Sequence, residues 1–483
     1  MSNPDRLTGL DSSFLHLERG HAHMHVAAAM VLEGTPPAYD ELVAQIVSRL
    51  HLVPRYRQRL AFVPFGQGRP VWVDDPHFNV AFHVRHTALP SPGGEAQLRR
   101  LSGRVFSQEL DRSRPLWELW LVEGLADDRF ALLSKTHHAL VDGISGVDIA
   151  TVLFDTSPDP VPAGVGGDEN EWVPRPLPTG AQLLADALLE RATVPAEIAR
   201  GVRRAFRGPR QVAMRVGEAA VGVGALARVI QSAPPSPLNV RIGPHRRFSW
   251  VSGELEGLKE VKNTLGGTVN DVVLAVVAGA LGRYLRRRGE LSDGLVLRAM
   301  IPVSVRADLE RGALGNRVAA MWASLPVGME DPIERLLTIS HEMDGVKESG
   351  QAVGAQVLTE LTGFAPPTIV AQAARLQARQ RMFNLVVTNV PGPQFPLYML
   401  GRRLEAMYPN VPLAAGQALG IAIISYDGHV NFGLNADYDA LPDVEDLAGD
   451  LRDSIAEMVA AAGASPRSAR RPPRRRAASA RTP

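Results

Sequence analysis

The run IAIISYDGHVNFGLNAD, Ile421 to Asp437, constrains the fold more than any other stretch of this sequence. Two β-rich segments flank Asp427-Gly428, and a two-residue Asp-Gly connection needs φ > 0 at both positions, which favours a tight antiparallel hairpin. A sheet is therefore expected in the C-terminal half. It lies within a mixed block from about Arg246 to Gly463. The N-terminal part, to about Thr156, alternates strand-like runs (MHVAAAMVLEG, PVWVDD, RFALLSKTHHAL) with helical ones (YDELVAQIVSRL, EAQLRRLSGRVFSQEL). At 483 residues the chain is long for one domain, and two mixed α/β or α+β domains are expected. Between them, Ser157 to Pro178 is rich in Pro and Gly and reads as a loop, and Ala181 to Ser232 reads as helical. The last residues, from Ser465, hold seven arginines and no acid, with little to bury, and are expected to be disordered.

Charge and cysteine usage exclude several classes of function. The formal net charge is only +1, so no global field points to nucleic acid. Cys is absent, which removes disulfides, thiolate nucleophiles and Cys-ligated metal sites. Asp5, Asp11 and Glu18 occupy the place where a signal peptide needs an apolar run. No stretch reaches the ~18 apolar residues of a spanning helix. A cytoplasmic protein, soluble or peripherally attached, is expected.

The chemistry concentrates in SKTHHALVDGISG, Ser134 to Gly146. Phe130 to His138 reads as a strand, so His137 and His138 face opposite ways. On alternation His138 shares its face with Phe130, Leu132, Ser134 and Thr136, and His137 shares its face with Lys135. The less charged face favours His138 as the one in a dry pocket. Val141-Asp142-Gly143 reads as a turn, and Ser145 with Asp148 as a cap-like helix start. Strand, turn and helix start would hold a side chain at a fixed angle, as a catalytic base requires; a core histidine beside a structural turn is the plainer alternative.

HHALVDG, His137 to Gly143, resembles the HHxxxDG motif of the bacterial wax ester synthase/diacylglycerol acyltransferase family, a pattern shared with peptide-synthetase condensation domains and, in shorter form, with chloramphenicol acetyltransferase. LTGLDSSFLHLE, HMHV (His23 to Val26), Pro115-Leu116-Trp117 and Asn270-Asp271 resemble further blocks of that family. So do IPVSVR (Ile301 to Arg306), LGNR (Leu314 to Arg317), NVPGP (Asn389 to Pro393) and SYDGHVNFG (Ser425 to Gly433), in the family's order. The likeness runs from about Leu7 to Met458; the basic tail matches no family block.

The resemblance implies two chloramphenicol-acetyltransferase-like α/β domains forming a pseudo-dimer joined by a helical linker, with the site in a tunnel between the halves. The domains would be residues 1–160 and 241–463, the linker 161–240 and the tail 464–483. His138 would be the general base, taking the proton of an acceptor hydroxyl as that oxygen attacks the thioester of acyl-CoA. No acyl-enzyme is implied, in keeping with the absence of Cys and of a GxSxG elbow. An imidazole suits the task because its ordinary pKa of ~6.5 leaves it largely neutral at physiological pH. Asp142, with Gly143 in the turn, would be structural and pair with an arginine, Arg306 being the candidate. No cofactor beyond the co-substrate acyl-CoA is implied. The acceptor would be diacylglycerol or a long-chain alcohol, met at the inner face of the plasma membrane or on lipid inclusions. A different lipid or polyketide hydroxyl, or a catalytically silent lipid-binding protein, are the competing readings.

Other residues have two readings. Asn270 and Asp271 open a helical run where capping is ordinary; the family block assigns them to substrate binding. Trp117 reads as a core aromatic or, with Pro115, as part of the tunnel wall. His21, His23 and His25 alternate along a strand-like run, but no neighbouring carboxylate completes a metal site, and none is expected. From Arg200 to Arg228 seven arginines and one acid alternate with apolar residues, either a solvated connector or a surface for anionic lipid.

Overall fold

The computed structural model describes residues 5–141, 152–159, 172–190, 233–304, 318–348 and 382–464. The Asp427-Gly428 pair forms the expected hairpin. Asp427 has φ +43° and Gly428 φ +82°, and the turn joins β13 (Leu419–Tyr426) to β14 (His429–Asp437) in unbroken antiparallel register from Leu419↔Ala436 to Tyr426↔His429.

That hairpin lies in a six-stranded mixed sheet. Its other strands are β7 (Arg246–Glu254), β8 (Leu297–Ser304), β9 (Val318–Leu325) and β10 (Leu385–Pro391), in the order β7-β14-β13-β10-β8-β9. Both neighbours of β10 run parallel to it, and the remaining pairs are antiparallel. Strand β13 reads LGIAIISY because it is central, and most of its residues are buried. Helix α6 (Val269–Arg287) covers this sheet and is buried almost all round, Val272 to Gly282 without a break.

A second mixed sheet of six strands has the order β11-β12-β1-β6-β5-β4. Four strands come from the N-terminal half: β1 (His25–Glu33), β4 (Val84–Ala88), β5 (Trp117–Leu125) and β6 (Arg129–His137). The other two, β11 (Tyr398–Met399) and β12 (Arg402–Asn410), come from the far end of the chain. β12 lies antiparallel to β1, from Ala27↔Asn410 to Leu32↔Leu404. This N-terminal sheet is thus completed by residues from the second block. Along β6 the two faces bury different neighbours: Phe130 and Leu132 join a core with Leu15, Trp117 and Leu404, whereas Ala131 and Leu133 pack with Phe106, Phe248 and Trp250.

Among the described residues no single helix is long and apolar enough to cross a membrane. The bent pair α5 (Leu255–Leu265) and α6 passes on length and composition, but its apolar residues form the core against the sheet that holds β13 and β14.

Candidate active site

β6 ends at His137, one residue short of the strand expected from alternation. The N–H of His137 donates to the Leu116 carbonyl (2.9 Å) and that of His138 to the Met24 carbonyl (2.8 Å), and His138–Val141 then winds into one helical turn, α4. Backbone acceptors on neighbouring segments set the strand end, and period-2 patterning contains no sign of them.

The two imidazoles differ in their partners. His137 is buried. Its Nδ1 accepts the Ala139 N–H at 3.1 Å, so the ring proton sits on Nε2, which faces Glu18 Oε2 at 3.4 Å. That separation is long for a hydrogen bond, and the contact is an electrostatic pairing. His138 is partly exposed and stacks on Phe14, ring centroids 4.2 Å apart and planes 14° from parallel. Burial, and then the electrostatic effect of neighbouring His137, push the His138 pKa down to about 4, so its ring is neutral at physiological pH.

Charge on the two faces does not separate them. Lys135, on the His137 face, is fully buried; it donates to the carbonyls of Gln108 (2.9 Å) and Val105 (3.3 Å), pairs with Glu118 at 3.3 Å, and has its pKa lowered by burial. Both faces of β6 are dry. His137 pairs with the Ala139 amide and Glu18, and His138 carries a neutral ring against Phe14.

Phe14 lies on α1 (Gly9–Leu17), and Glu18, one turn later, is that helix's C-cap. One face of α1 therefore meets both histidines. Thr8 and Asp11 form a capping box at its start, which accounts for an acid in that stretch. Phe14 and Leu17 also pack with Ala22, Met24, Ile242 and Leu413, so the ring stacked on His138 lies where N-terminal residues meet residues of the second block. Glu18 is the site residue that the sequence reading did not single out. Its one signal was an acid four residues after Phe14 at the end of an apolar helix.

The remaining expected residues fall in three groups. Trp117 is buried in the core: its indole N–H donates to the Tyr56 carbonyl (2.8 Å) and its ring stacks on His83 (4.7 Å). Pro115 is buried beside it, and Leu116 supplies the carbonyl that ends β6. Asp271 caps α6, accepting the Thr268 N–H at 2.8 Å while Thr268 Oγ1 accepts the Asp271 N–H at 3.2 Å. Asn270 accepts from Asn389 Nδ2 at 3.4 Å, so the Asn270-Asp271 and NVPGP blocks meet. Asp142, Gly143 and Arg306 lie outside the described residues, as do 200–228 and the basic tail.

In the His21–His25 run, His25 Nε2 is engaged by the Phe106 carbonyl (3.0 Å), and His23 Nδ1 lies 4.0 Å from Glu109 Oε2. Among the described residues no group of three or more His, Asp or Glu side chains is placed to hold a metal.

Two mixed sheets, one completed by strands from the other's half of the chain, with a neutral histidine where their segments meet, make a two-part α/β fold. The wax ester synthase/diacylglycerol acyltransferase catalytic domain matches residues 7–273, and the family's C-terminal domain matches 314–459. The chain belongs to this family of acyltransferases. Probable diacylglycerol O-acyltransferase tgs1 of Mycobacterium tuberculosis is 34% identical over 461 residues, 94% of this chain and 96% of that protein. Probable diacylglycerol O-acyltransferase tgs2 of the same organism is 36% identical over 462 residues, 94% and 98%. Among solved structures, the wax ester synthase/diacylglycerol acyltransferase of Marinobacter aquaeolei VT8 matches with a TM-score of 0.68 and 30% identity, over 96% of this chain and 100% of that one. The first condensation domain of the calcium-dependent antibiotic synthetase, at 16% identity and a TM-score of 0.56 over 95% and 96% of the two chains, shares the fold.

Proposed function

We propose that the protein transfers the acyl group of an acyl-CoA to the hydroxyl of diacylglycerol, giving triacylglycerol, or of a long-chain alcohol, giving a wax ester. The observation that supports this most is His138, a neutral imidazole held by both backbone and ring contacts at the end of β6, in a chain related over nearly its whole length to diacylglycerol acyltransferases. His138 takes the acceptor's hydroxyl proton as the oxygen adds to the thioester carbonyl. The tetrahedral adduct collapses, the C–S bond breaks, and the proton passes to the CoA sulfur, giving ester and free CoA. No bond to the protein forms. On the family resemblance, Asp142 stays outside the proton path. Pro115 and Trp117 serve by fixing the end of β6, and Asn270 by its link to Asn389. Acceptor and product partition into lipid, so the enzyme works at the inner membrane face or on lipid inclusions. The arginines of 200–228 and of the tail attract it to anionic headgroups there.

Purified protein given one long-chain acyl-CoA and a panel of acceptors tests the reading: diacylglycerol, hexadecanol and a short soluble alcohol. Free CoA is followed with a thiol reagent and the esters are identified by mass. Triacylglycerol or wax ester with stoichiometric CoA is expected. Binding of acyl-CoA without CoA release for any acceptor would make the protein a lipid-binding member of the family.

A further inference from the structure

Glu18 is a carboxylate with only a tenth of its side chain exposed, and three groups converge on it. Arg112 donates through Nε (3.0 Å) and Nη2 (2.5 Å) to Oε2, and the same guanidinium reaches the Leu15 carbonyl at 3.2 Å. His137 Nε2 faces Oε2 at 3.4 Å, and the Met24 N–H donates to Oε1 at 3.0 Å. Burial alone would raise its pKa, but His137 and Arg112 outweigh it and hold the group down to about 2, so Glu18 is ionised.

Two routes lead from this carboxylate to His138. In the first, Glu18 keeps the His137 proton on Nε2, which leaves Nδ1 free to accept the Ala139 N–H, the amide following His138. In the second, Glu18 fixes the Met24 N–H, and the Met24 carbonyl accepts the His138 N–H at 2.8 Å. The backbone on both sides of the His138 ring is therefore referred to one buried anion. Phe14, on the same helix face, contacts the ring itself. We propose that Glu18 is a positioning residue for acyl transfer, acting on His138 through the His137 tautomer and through the Met24 backbone. This rests on His138 being the base. Arg112 is the cation that lets the anion sit in a dry place, where an unpaired carboxylate would take up a proton.

A neutral amide at position 18 tests the idea, because it keeps the shape and removes the charge. In Glu18→Gln, kcat with a saturating soluble alcohol should fall by about 10-fold or more, with KM for acyl-CoA within about twofold, as expected when positioning of a reacting group is lost and substrate binding is not. Ring ¹⁵N shifts of His137 in ¹⁵N-histidine-labelled full-length protein should show Nε2–H in the parent and a shift toward Nδ1–H in Glu18→Gln. Adding Glu18→Gln to His138→Ala should change the residual rate by less than about twofold, because a residue acting through His138 has nothing left to position. If Glu18→Gln does not fold, Glu18→Asp, which keeps the charge and withdraws it by one methylene, takes its place with a smaller loss of kcat and the same ring signature. Parental turnover with an unchanged His137 tautomer would overturn the role of Glu18. An active His138→Ala enzyme would instead remove the base assignment, and the tautomer measurement would still report on Glu18 independently.

Discussion

At the scale of single residues, the adjacent histidines differ in their neighbours. The ring of His137 meets the Ala139 amide and Glu18, and that of His138 stacks on Phe14 and carries a depressed pKa. His138→Ala should therefore lower kcat by about 10²–10⁴, the usual worth of a positioned base, and His137→Ala by less, with circular dichroism confirming that both fold. The pH dependence is opposite to that of an imidazole held protonated. His138 is basic above about 4, so kcat/KM should stay level from pH 7 to about 5 and fall only as pH drops through 4. A limb centred near 6.5 would mean that an exposed histidine is the base. For stability, the unfolded chain binds the His138 proton below 6.5 and the folded chain only below about 4. This group therefore destabilises the fold progressively as pH falls through that window, by at most about 3 kcal/mol. His23, His25 and His83 are shifted down by burial and add to the slope. Glu18, lowered to about 2, adds its own loss later, between 4.5 and 2. Urea unfolding followed from pH 7 to 4.5 should accordingly be less steep in pH for His138→Ala than for the parent.

At the scale of elements, local chemistry was legible wherever a segment determines itself. The Asp427-Gly428 turn, the helix Tyr39–Arg49 and the helix Glu95–Phe106 follow from turn residues and apolar periodicity. Segments that borrow a neighbour's groups were less legible. β6 stops where Leu116 and Met24 offer carbonyls, and Lys135, which reads as a surface charge, is satisfied by carbonyls from the end of the helix Glu95–Phe106 and beyond. Asn270-Asp271 shows both cases at once: Asp271 does the ordinary work of a capping box with Thr268, while Asn270 reaches across to Asn389. Removing the cap hydroxyl separates these roles. Thr268→Ala should cost about 1 kcal/mol in urea unfolding, with a small effect on turnover. Asn270→Ala should leave stability nearly unchanged and lower activity more. Equal activity losses in the two variants would mean that the block matters only as a helix start.

At the scale of the whole molecule, the sequence displays two mixed blocks but not the exchange between them. Nothing in YMLGRRLEAMYPN says that it pairs with residues nearly four hundred positions earlier, because strand partners are chosen by geometry that composition does not encode. The structure shows how the crossing is secured. Tyr426, buried at the end of β13, donates to the Leu404 carbonyl at 3.0 Å and accepts the Leu397 N–H at 2.8 Å, gripping the chain on both sides of β11. Further along, β12 passes so close to β14 that a Cβ placed on Gly433 would lie 1.8 Å from the Pro409 carbonyl oxygen. Neither strand can retreat easily, since Gly433 is paired with Ala422 on one side and Trp250 on the other, and β12 is paired with β1. The glycine is needed for closeness, since its φ is not among the positive values. Gly433→Ala, a single added methyl, should therefore force the two sheets apart and leave little soluble, active protein. Gly449→Ala provides the contrast: in helix α7 (Val444–Ala464) a Cβ at that position meets nothing within 4 Å, and relief from glycine's conformational freedom should stabilise by up to about 1 kcal/mol. Thermal unfolding and size-exclusion of the two variants side by side decide the matter. A Gly433→Ala protein that melts with the parent would mean that β12 and β14 are free to separate, and that the exchanged strand does not hold the halves in register.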